Sequence, residues 1–212
     1  MSKKSLKYSS FYNIHGLNMR LILASSSPYR QSLLQRLQIP FTTVSPGVDE
    51  KPLPGEEPKS LAQRLAQAKA EHVANTTANV IVIGSDQVAS LGHQLLGKPG
   101  DADTARQQLL ASSGQIVRFY TALCVIGPDG SSYEAMQETR VHFRELDTAE
   151  IDRYLQLEQP FDCAGSFKCE GLGISLFEKL VGDDPTALEG LPLIALSGIL
   201  RQLGVYPLTS PE

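Results

Sequence analysis

The stretch from Leu21 to Leu37, LILASSSPYRQSLLQRL, constrains the fold most strongly, because its pattern changes from that of a strand to that of a helix. Leu21–Ala24 is a short apolar run suited to a buried strand. Ser27 and Pro28 then form a helix-start signal, since serine is a good N-cap and proline suits the first helical position. Three leucines follow at helical spacing. The stretch therefore predicts a strand that leads directly into a helix, which is a building unit of α/β folds.

The rest of the chain continues this alternation of strand and helix patterns. Apolar residues at helical spacing predict helices over Pro58–Asn75, Asp103–Ser112 and Pro192–Leu203. Apolar and β-branched runs predict strands over Asn79–Ile83, Gln115–Gly127 and Ser132–Arg144. We therefore predict an α/β protein with a sheet of mixed strand order.

Length and charge limit the class of protein. With 212 residues the chain is long enough for one α/β domain with a full core. Its net charge of −4 argues against nonspecific binding to duplex nucleic acid, which requires a basic surface, but allows a small phosphorylated ligand. Residues 1–18 are polar and lack the apolar segment of a secretory signal. We predict a disordered N-terminal extension over residues 1–18 and a single domain over residues 19–212.

Cysteine usage indicates the compartment. The three cysteines, Cys124, Cys163 and Cys169, are an odd number without CxxC spacing. This argues against a disulfide framework or a structural zinc site. No apolar run approaches the ~20 residues of a membrane span. The sequence therefore predicts a cytoplasmic protein that does not bind a membrane.

The predicted start of the first helix is a candidate anion site. The first backbone N–H groups of a helix are unpaired and lie at the positive end of its dipole, so they attract anions. Ser25 and Ser27 precede the helix, and Arg30 in its first turn adds a planar cation suited to phosphate. An ordinary capped helix with a surface arginine explains the same residues without a ligand.

Further polar residues follow the predicted strands and helices. Asp86 comes after a glycine at the end of the run NVIVI, a position where open α/β sheets bind ligands. A carboxylate there is suited to accept a proton or hold a cation, and it is equally suited to stabilise a turn. Glu50, Lys69 and Lys98 are each compatible with a solvated surface role. Taken together, this set suits the binding of a polyphosphate with a divalent metal and its hydrolysis.

In their order and spacing the motifs resemble those of the Maf family of nucleoside triphosphate pyrophosphatases over roughly residues 19–205. The matching segments include LILASSSPYR, VDE at 48–50, LAQRLAQAKA at 61–70, IGSDQV at 83–88, GKP at 97–99 and CAGSFKCEGLGISLFEKLVG at 163–182. The SDQV, AGSFK and EG variants resemble the branch described as 7-methyl-GTP pyrophosphatase. The resemblance implies a fold of the Maf and inosine triphosphatase type, with a central twisted mixed β-sheet flanked by helices and a cleft between two lobes.

The resemblance also implies a reaction, which is the hydrolysis of 7-methyl-GTP to 7-methyl-GMP and diphosphate with Mg2+ or Mn2+. By motif match, Asp86 is the proton acceptor that activates water, and Glu50 and Asp86 hold the metal. The positions matched to phosphate binding are Ser25, Ser27, Arg30, Lys69 and Lys98. The positions matched to base selection are Tyr29, Gln87 and Glu170. The implied partners are the nucleotide and a second copy in a homodimer, although no feature of the sequence itself requires a dimer.

Alternatives remain open on the sequence alone. Gln31 stands where the family often has a second arginine after Arg30, which favours a non-catalytic nucleotide-binding regulator of septation. A pyrophosphatase for dTTP, UTP or an oxidised or deaminated purine nucleotide is the other alternative. The aromatic ring of Tyr29 is suited to the cationic base of 7-methylguanine, and it is equally suited to packing on its helix.

Overall fold

A computed structural model describes the backbone of residues 12–14 and 17–208 and the side chains of residues 19–208. Within these residues the helices are α1 (Pro28–Gln35), α2 (Pro58–Ala74), α3 (Ala102–Ser112), α4 (Thr148–Glu158) and α5 (Leu193–Gln202). The strands are β1 (Tyr12–Ile14), β2 (Leu17–Leu23), β3 (Thr42–Thr43), β4 (Val80–Leu91), β5 (Gln94–Leu96), β6 (Ile116–Ile126), β7 (Ser132–Phe143) and β8 (Phe177–Val181).

The eight strands of the described residues form one mixed sheet. Its order is β1-β2-β4-β6-β7-β8, with β3 paired to β2 and β5 paired to β4. Strand β2 runs parallel to β3 and β4, and every other pair is antiparallel. The predicted mixed sheet with flanking helices is therefore confirmed.

The predicted N-terminal extension falls largely outside the described residues, since 1–11 and 15–16 are not among them. Tyr12–Ile14, however, pairs antiparallel with the start of β2 in the register Tyr12 to Met19 and Ile14 to Leu17. The two parts of the predicted extension that the structure describes, 12–14 and 17–18, are thus strand. The added pairing satisfies backbone groups that an isolated tail would leave to solvent.

Strand β4 corrects the most important predicted boundary. The sequence pattern placed the end of this strand at Ile83 and Asp86 beyond it, but β4 runs 12 residues from Val80 to Leu91 and holds Asp86 in its middle. The reason is a difference between its two neighbours. On one edge the parallel pairing with β2 ends at Ile83, while on the other edge β6 pairs with β4 as far as Leu91.

Three buried apolar clusters surround the sheet and divide it into two lobes. One cluster packs α1 and α5 against β2 and β4, and another packs α2 against the opposite face of the same strands. The remaining cluster joins the far halves of β4 and β6 to β7, α3 and α4. The first two clusters form one lobe and the last forms the other, and the predicted cleft lies between them.

The helix starts follow the capping signals of the sequence. Ser27 caps α1, and Asp101 caps α3 through the backbone N–H of Thr104 at 2.8 Å. Asp147 and Glu150 form a complete capping box at the start of α4. No helix in the described part of the chain is both long and apolar enough to span a bilayer.

Candidate active site

One cleft of about 720 Å³ separates the two lobes. Its walls come from the start of α1, the loop after β3, α2, β4 and the segment that follows α4. All ten residues predicted from the sequence line it: Ser25, Ser27, Tyr29, Arg30, Glu50, Lys69, Asp86, Gln87, Lys98 and Glu170. The fold thus brings together residues that are up to 145 positions apart in the chain.

A buried lysine bridges two carboxylates inside the cleft. Lys69 Nζ lies 2.6 Å from Asp86 Oδ1 and 2.6 Å from Glu50 Oε1. Lys69 is 4% exposed and Asp86 is 7% exposed, so Lys69 is not a solvated residue on the flank of its helix. Burial disfavours charge on Glu50, but Lys69, Lys98 and Arg30 together lower its pKa below the ordinary value. Glu50 is therefore ionised at neutral pH.

Gly84 allows α2 to approach β4 closely enough for this bridge. A Cβ atom at Gly84 would overlap the backbone carbonyl of Ala66 and lie 2.7 Å from the backbone nitrogen of Ala70. Lys69 belongs to the same turn of α2 and is carried over β4 beside Asp86 by this contact. A glycine within a strand pattern is a known sign of close backbone approach. Gly84 is therefore the sequence signal that could have indicated that Lys69 is buried beside β4.

The start of α1 forms the wall beside this cluster. Ser27 Oγ accepts a hydrogen bond from the backbone N–H of Arg30 at 3.4 Å, and the backbone N–H of Ser27 donates to Ser25 Oγ at 3.1 Å. Arg30 Nε donates to the backbone carbonyl of Gly190 at 2.9 Å. Burial lowers the pKa of Arg30, and the negative charges of nearby carboxylates oppose this shift. Gln31, which follows directly, is not among the residues that line the cleft.

The segment 184–191 supports the cleft through backbone carbonyls, although none of its residues is among the site residues predicted from the sequence. The Gly190 carbonyl, which holds Arg30, also accepts from Ser85 Oγ at 3.0 Å. Two carbonyls earlier in the segment accept from Gln87 Nε2 at 2.8 and 3.0 Å. Side chains alternate along a strand, so Ser85 and Gln87 face this segment while Asp86 between them faces α2. Backbone acceptors leave no residue-type signal, which explains why sequence reasoning missed them.

An aromatic and acidic wall closes the other end of the cleft. Tyr29 Oη lies 3.2 Å from Asp162 Oδ2 and 3.5 Å from Asp162 Oδ1, and it donates to this carboxylate. Burial, with the adjacent Cys163 and Asp162, raises the pKa of Tyr29. Burial also raises the pKa of Cys163 to about 11 and that of Cys169 to about 12. Both thiols are therefore protonated at neutral pH, and Glu170 lies exposed on the same wall.

The donor set of the cleft suits a hard divalent cation. Within the described residues, no group of three or more His, Cys, Asp and Glu side chains is arranged to hold a metal. Glu50 and Asp86 nevertheless converge on one positive charge, the ammonium of Lys69. Mg2+ commonly takes one or two carboxylates and completes its shell with water and substrate phosphates. The two carboxylates fit the predicted Mg2+ or Mn2+ in that mode.

Fold and cleft together define an α/β protein in which a capped helix start with a half-buried arginine faces a carboxylate–lysine cluster. A family model described as Maf-like protein matches residues 20–203. The 7-methyl-GTP pyrophosphatase of Xanthomonas axonopodis pv. citri is 57% identical over 185 residues, covering 87% of this chain and 97% of that protein. The chain therefore belongs to the Maf family, as its motifs predicted.

Other relatives show the same extent of similarity. The 7-methyl-GTP pyrophosphatase of Bordetella avium is 54% identical over 196 residues, covering 92% of this chain and 98% of that protein. The protein of the same name from Nitrosococcus oceani is 54% identical over 188 residues, or 88% of this chain and 94% of that protein. Among solved structures, a HAM1 protein from Coxiella burnetii has a TM-score of 0.47 at 14% identity, covering 86% of this chain and 98% of that chain.

Proposed function

We propose that the protein is a nucleoside triphosphate pyrophosphatase that hydrolyses 7-methyl-GTP to 7-methyl-GMP and diphosphate, and so removes a modified nucleotide from the pool. Membership of the Maf family and relatives named 7-methyl-GTP pyrophosphatase at 54–57% identity support the reaction and the substrate. The observation that carries the proposal is the Lys69–Asp86 pair beside Glu50 in the cleft between the lobes.

Asp86 is the general base in this proposal. Its carboxylate accepts a proton from the water that attacks the α-phosphorus, and the bond from that phosphorus to the bridging oxygen breaks to release diphosphate. Lys69, at 2.6 Å from Oδ1, fixes the orientation of the carboxylate. The burial of both side chains limits the water that competes for these hydrogen bonds.

The remaining cations bind the triphosphate. Arg30, held through Nε by the Gly190 carbonyl, and Lys98, exposed at the rim, oppose the negative charge of the phosphates. Ser25 and Ser27, whose hydroxyl groups accept hydrogen bonds from backbone N–H groups at the start of α1, line the same wall. Glu50 and Asp86 would hold a divalent cation, Mg2+ or Mn2+, which would supply further neutralisation of the charge on the triphosphate.

Residues on the opposite wall recognise the base of the nucleotide. Methylation at N7 makes guanine cationic, and the face of Tyr29 attracts a cationic ring. Glu170 accepts hydrogen bonds from the guanine N1–H and amino group. Gln87 shapes this wall by holding the carbonyls of Ala187 and Leu188.

The first experiment measures pyrophosphate release from a panel of nucleoside triphosphates, including 7-methyl-GTP, GTP, dTTP and UTP, with Mg2+ or Mn2+. We expect preferential release from 7-methyl-GTP. Asp86→Asn removes the proton acceptor and keeps the shape, so turnover should fall by about 10³-fold. Asp103→Asn, an exposed change on α3, is the matched control and should retain activity.

Each other outcome contradicts a definite part of the proposal. Wild-type turnover by a folded Asp86→Asn protein would exclude Asp86 as the base. Preference for dTTP or UTP would retain the pyrophosphatase reaction and reject the substrate. Tight nucleotide binding without release would favour the regulatory alternative.

We also propose the cytoplasm as the compartment, because a free nucleotide is the substrate and the cysteine count does not fit a disulfide framework. The single domain over residues 19–212 and the homodimer stay predictions.

A further inference from the structure

We propose that Asp162 is a further specificity-determining residue, which favours a positively charged 7-methylguanine base over neutral guanine. The inference rests on the proposed function, since it concerns the base of the same substrate. Asp162 directly precedes the segment 163–182 that resembles the family and is not one of the predicted site residues.

Asp162 is held at the cleft by both its side chain and its backbone. Its two carboxylate oxygens lie 3.2 and 3.5 Å from Tyr29 Oη, which joins the segment after α4 to the start of α1. The preceding residue, Phe161, accepts a hydrogen bond through its carbonyl from the backbone N–H of Gly100 at 3.0 Å. The carboxylate therefore has a fixed place in the wall, although it is exposed to the cleft.

The charges of the cleft are separated in space. Lys69, Lys98 and Arg30 surround the carboxylate cluster at one end, where Lys98 and Arg30 both act on Glu50. The wall around Cys163 and Cys169 holds three acidic side chains, those of Asp162, Glu170 and Glu189. Glu189 is paired with Arg36, and Lys168 acts on Cys163, so Asp162 and Glu170 leave this wall with a net negative charge. A ligand with an anionic tail and a cationic head matches this arrangement.

Neutral guanine and 7-methylguanine differ by one positive charge and one methyl group. A methyl group alone gives an apolar pocket only about 10- to 200-fold discrimination. A carboxylate acts on the charge in two ways. Asp162 attracts the cationic ring directly, and by accepting the hydrogen bond of the Tyr29 hydroxyl it makes the phenol ring richer in electrons, which strengthens its attraction for a cation.

The test compares the wild-type protein with Asp162→Asn, which keeps the size of the side chain and removes its charge. Two readouts are measured: kcat/KM for 7-methyl-GTP and GTP, and Kd for 7-methyl-GMP and GMP by calorimetry. We expect the preference for the methylated nucleotide to fall about tenfold in both readouts, because the loss on the cationic base exceeds the loss on the neutral base. Asp103→Asn is the matched control and should keep the wild-type preference.

A second variant separates the direct and indirect effects of Asp162. Tyr29→Phe keeps the ring and removes the hydrogen bond to the carboxylate. We expect it to reduce the preference by less than Asp162→Asn does, and to have a smaller effect when Asp162 is already Asn.

Failure of the inference and failure of the proposed function give different results. An unchanged preference in Asp162→Asn, or an equal fall for both nucleotides, overturns the role of Asp162 while pyrophosphate release stands. A preference in binding that depends on Asp162, without pyrophosphate release from any nucleotide, supports the inference and overturns the pyrophosphatase. Equal binding of 7-methyl-GMP and GMP by the wild-type protein overturns the inference.

Discussion

Lys69 Nζ is 2.6 Å from an oxygen of each of two carboxylates, and only one of these, that of Asp86, is buried. A buried ion pair contributes little by itself, because desolvation offsets the attraction between the charges. Removal of one partner is costly, since the other charge then stays buried without compensation. The bridge therefore makes the stability of the cleft depend on the lysine more than on the exposed Glu50.

Lys69→Met tests this dependence. Because it leaves the buried Asp86 without its ionic partner, we expect the free energy of unfolding at pH 7 to fall by about 3 kcal/mol. Lys69 also helps to lower the pKa of Glu50. The stabilisation from the interaction between Lys69 and Glu50 is therefore present above the ordinary pKa of a glutamate and is lost as the pH falls through the lowered pKa. The difference between variant and wild type should thus decrease on acidification.

Denaturant titration at pH 7 and at acidic pH measures this effect. Lys59→Met, an exposed lysine on the same helix, is the control and should change stability by less than ~0.5 kcal/mol. A Lys69→Met protein as stable as the control would show that the bridge contributes nothing to the fold.

For individual residues, the sequence identifies the chemical type of a side chain but not its burial. Asp86, Arg30 and Lys98 stand out because their chemistry suits a phosphate site, and they do line one cleft. Helical periodicity put Lys69 beside the apolar stripe, where a lysine is usually solvated. Its burial depends on Gly84 in another element, so the pattern of residues around Lys69 itself does not contain that information.

Among the elements, α2 and β4 form the contact that builds the cleft. Their closest approach is at Gly84, where the backbone of Ala66 and Ala70 leaves no room for a side chain. The spacing between helix and strand at this point is set by a missing Cβ atom rather than by interlocking side chains. Any added atom must separate the two elements or distort one of them.

Gly84→Ala is therefore expected to lower the free energy of unfolding by about 3 kcal/mol, because the atoms that it meets are backbone atoms that cannot rotate away. Gly97→Ala is the control, since an added Cβ there meets nothing within 4 Å. Equilibrium denaturation of both variants measures the difference. Equal stability of Gly84→Ala and Gly97→Ala would contradict the close contact.

Local signals define the helices better than the strands. The capping residues Ser27 and Asp147 mark two helix starts, because a cap acts on the residues next to it. The length of β4 depends instead on β6, which begins 25 residues after β4 ends. The pairing of β4 with β6 beyond Ile83 therefore leaves no local sequence signal where the pairing with β2 ends.

For the molecule as a whole, β4 and β6 connect the two lobes. Their antiparallel ladder runs from Val82–Ile126 to Leu91–Val117. Both strands contribute residues to each of the three apolar clusters. Neither lobe therefore has a sheet of its own that is independent of the other.

We expect the protein to unfold in one cooperative transition, since the shared strands couple the clusters. Scanning calorimetry should give a calorimetric enthalpy equal to the van't Hoff enthalpy. This outcome would support a single domain over residues 19–212. Two resolved transitions would show that the lobes unfold separately.

The alternation of strand and helix patterns is sufficient to predict a mixed α/β sheet, but not the strand order. The neighbours β2, β4 and β6 lie far apart in the sequence, and their pairing is decided by which apolar faces pack together. The cleft follows from this order, because β4 passes from one lobe into the other between Ile83 and Ala89.

The carbonyl contacts of segment 184–191 have a consequence for the evolution of this protein. Arg30, Ser85 and Gln87 are all anchored to main-chain oxygens of that segment, so replacement of its side chains leaves the anchoring atoms in place. Gly190 is one exception, because its φ of +108° is strained for any residue with a side chain. Asp184 and Thr186 are two others, since their side chains hydrogen-bond to the backbone of this segment and of the start of α5. Lineages can therefore keep the support for the cleft as a path of the backbone, while the side chains that they can exchange freely are the exposed ones, such as that of Pro185.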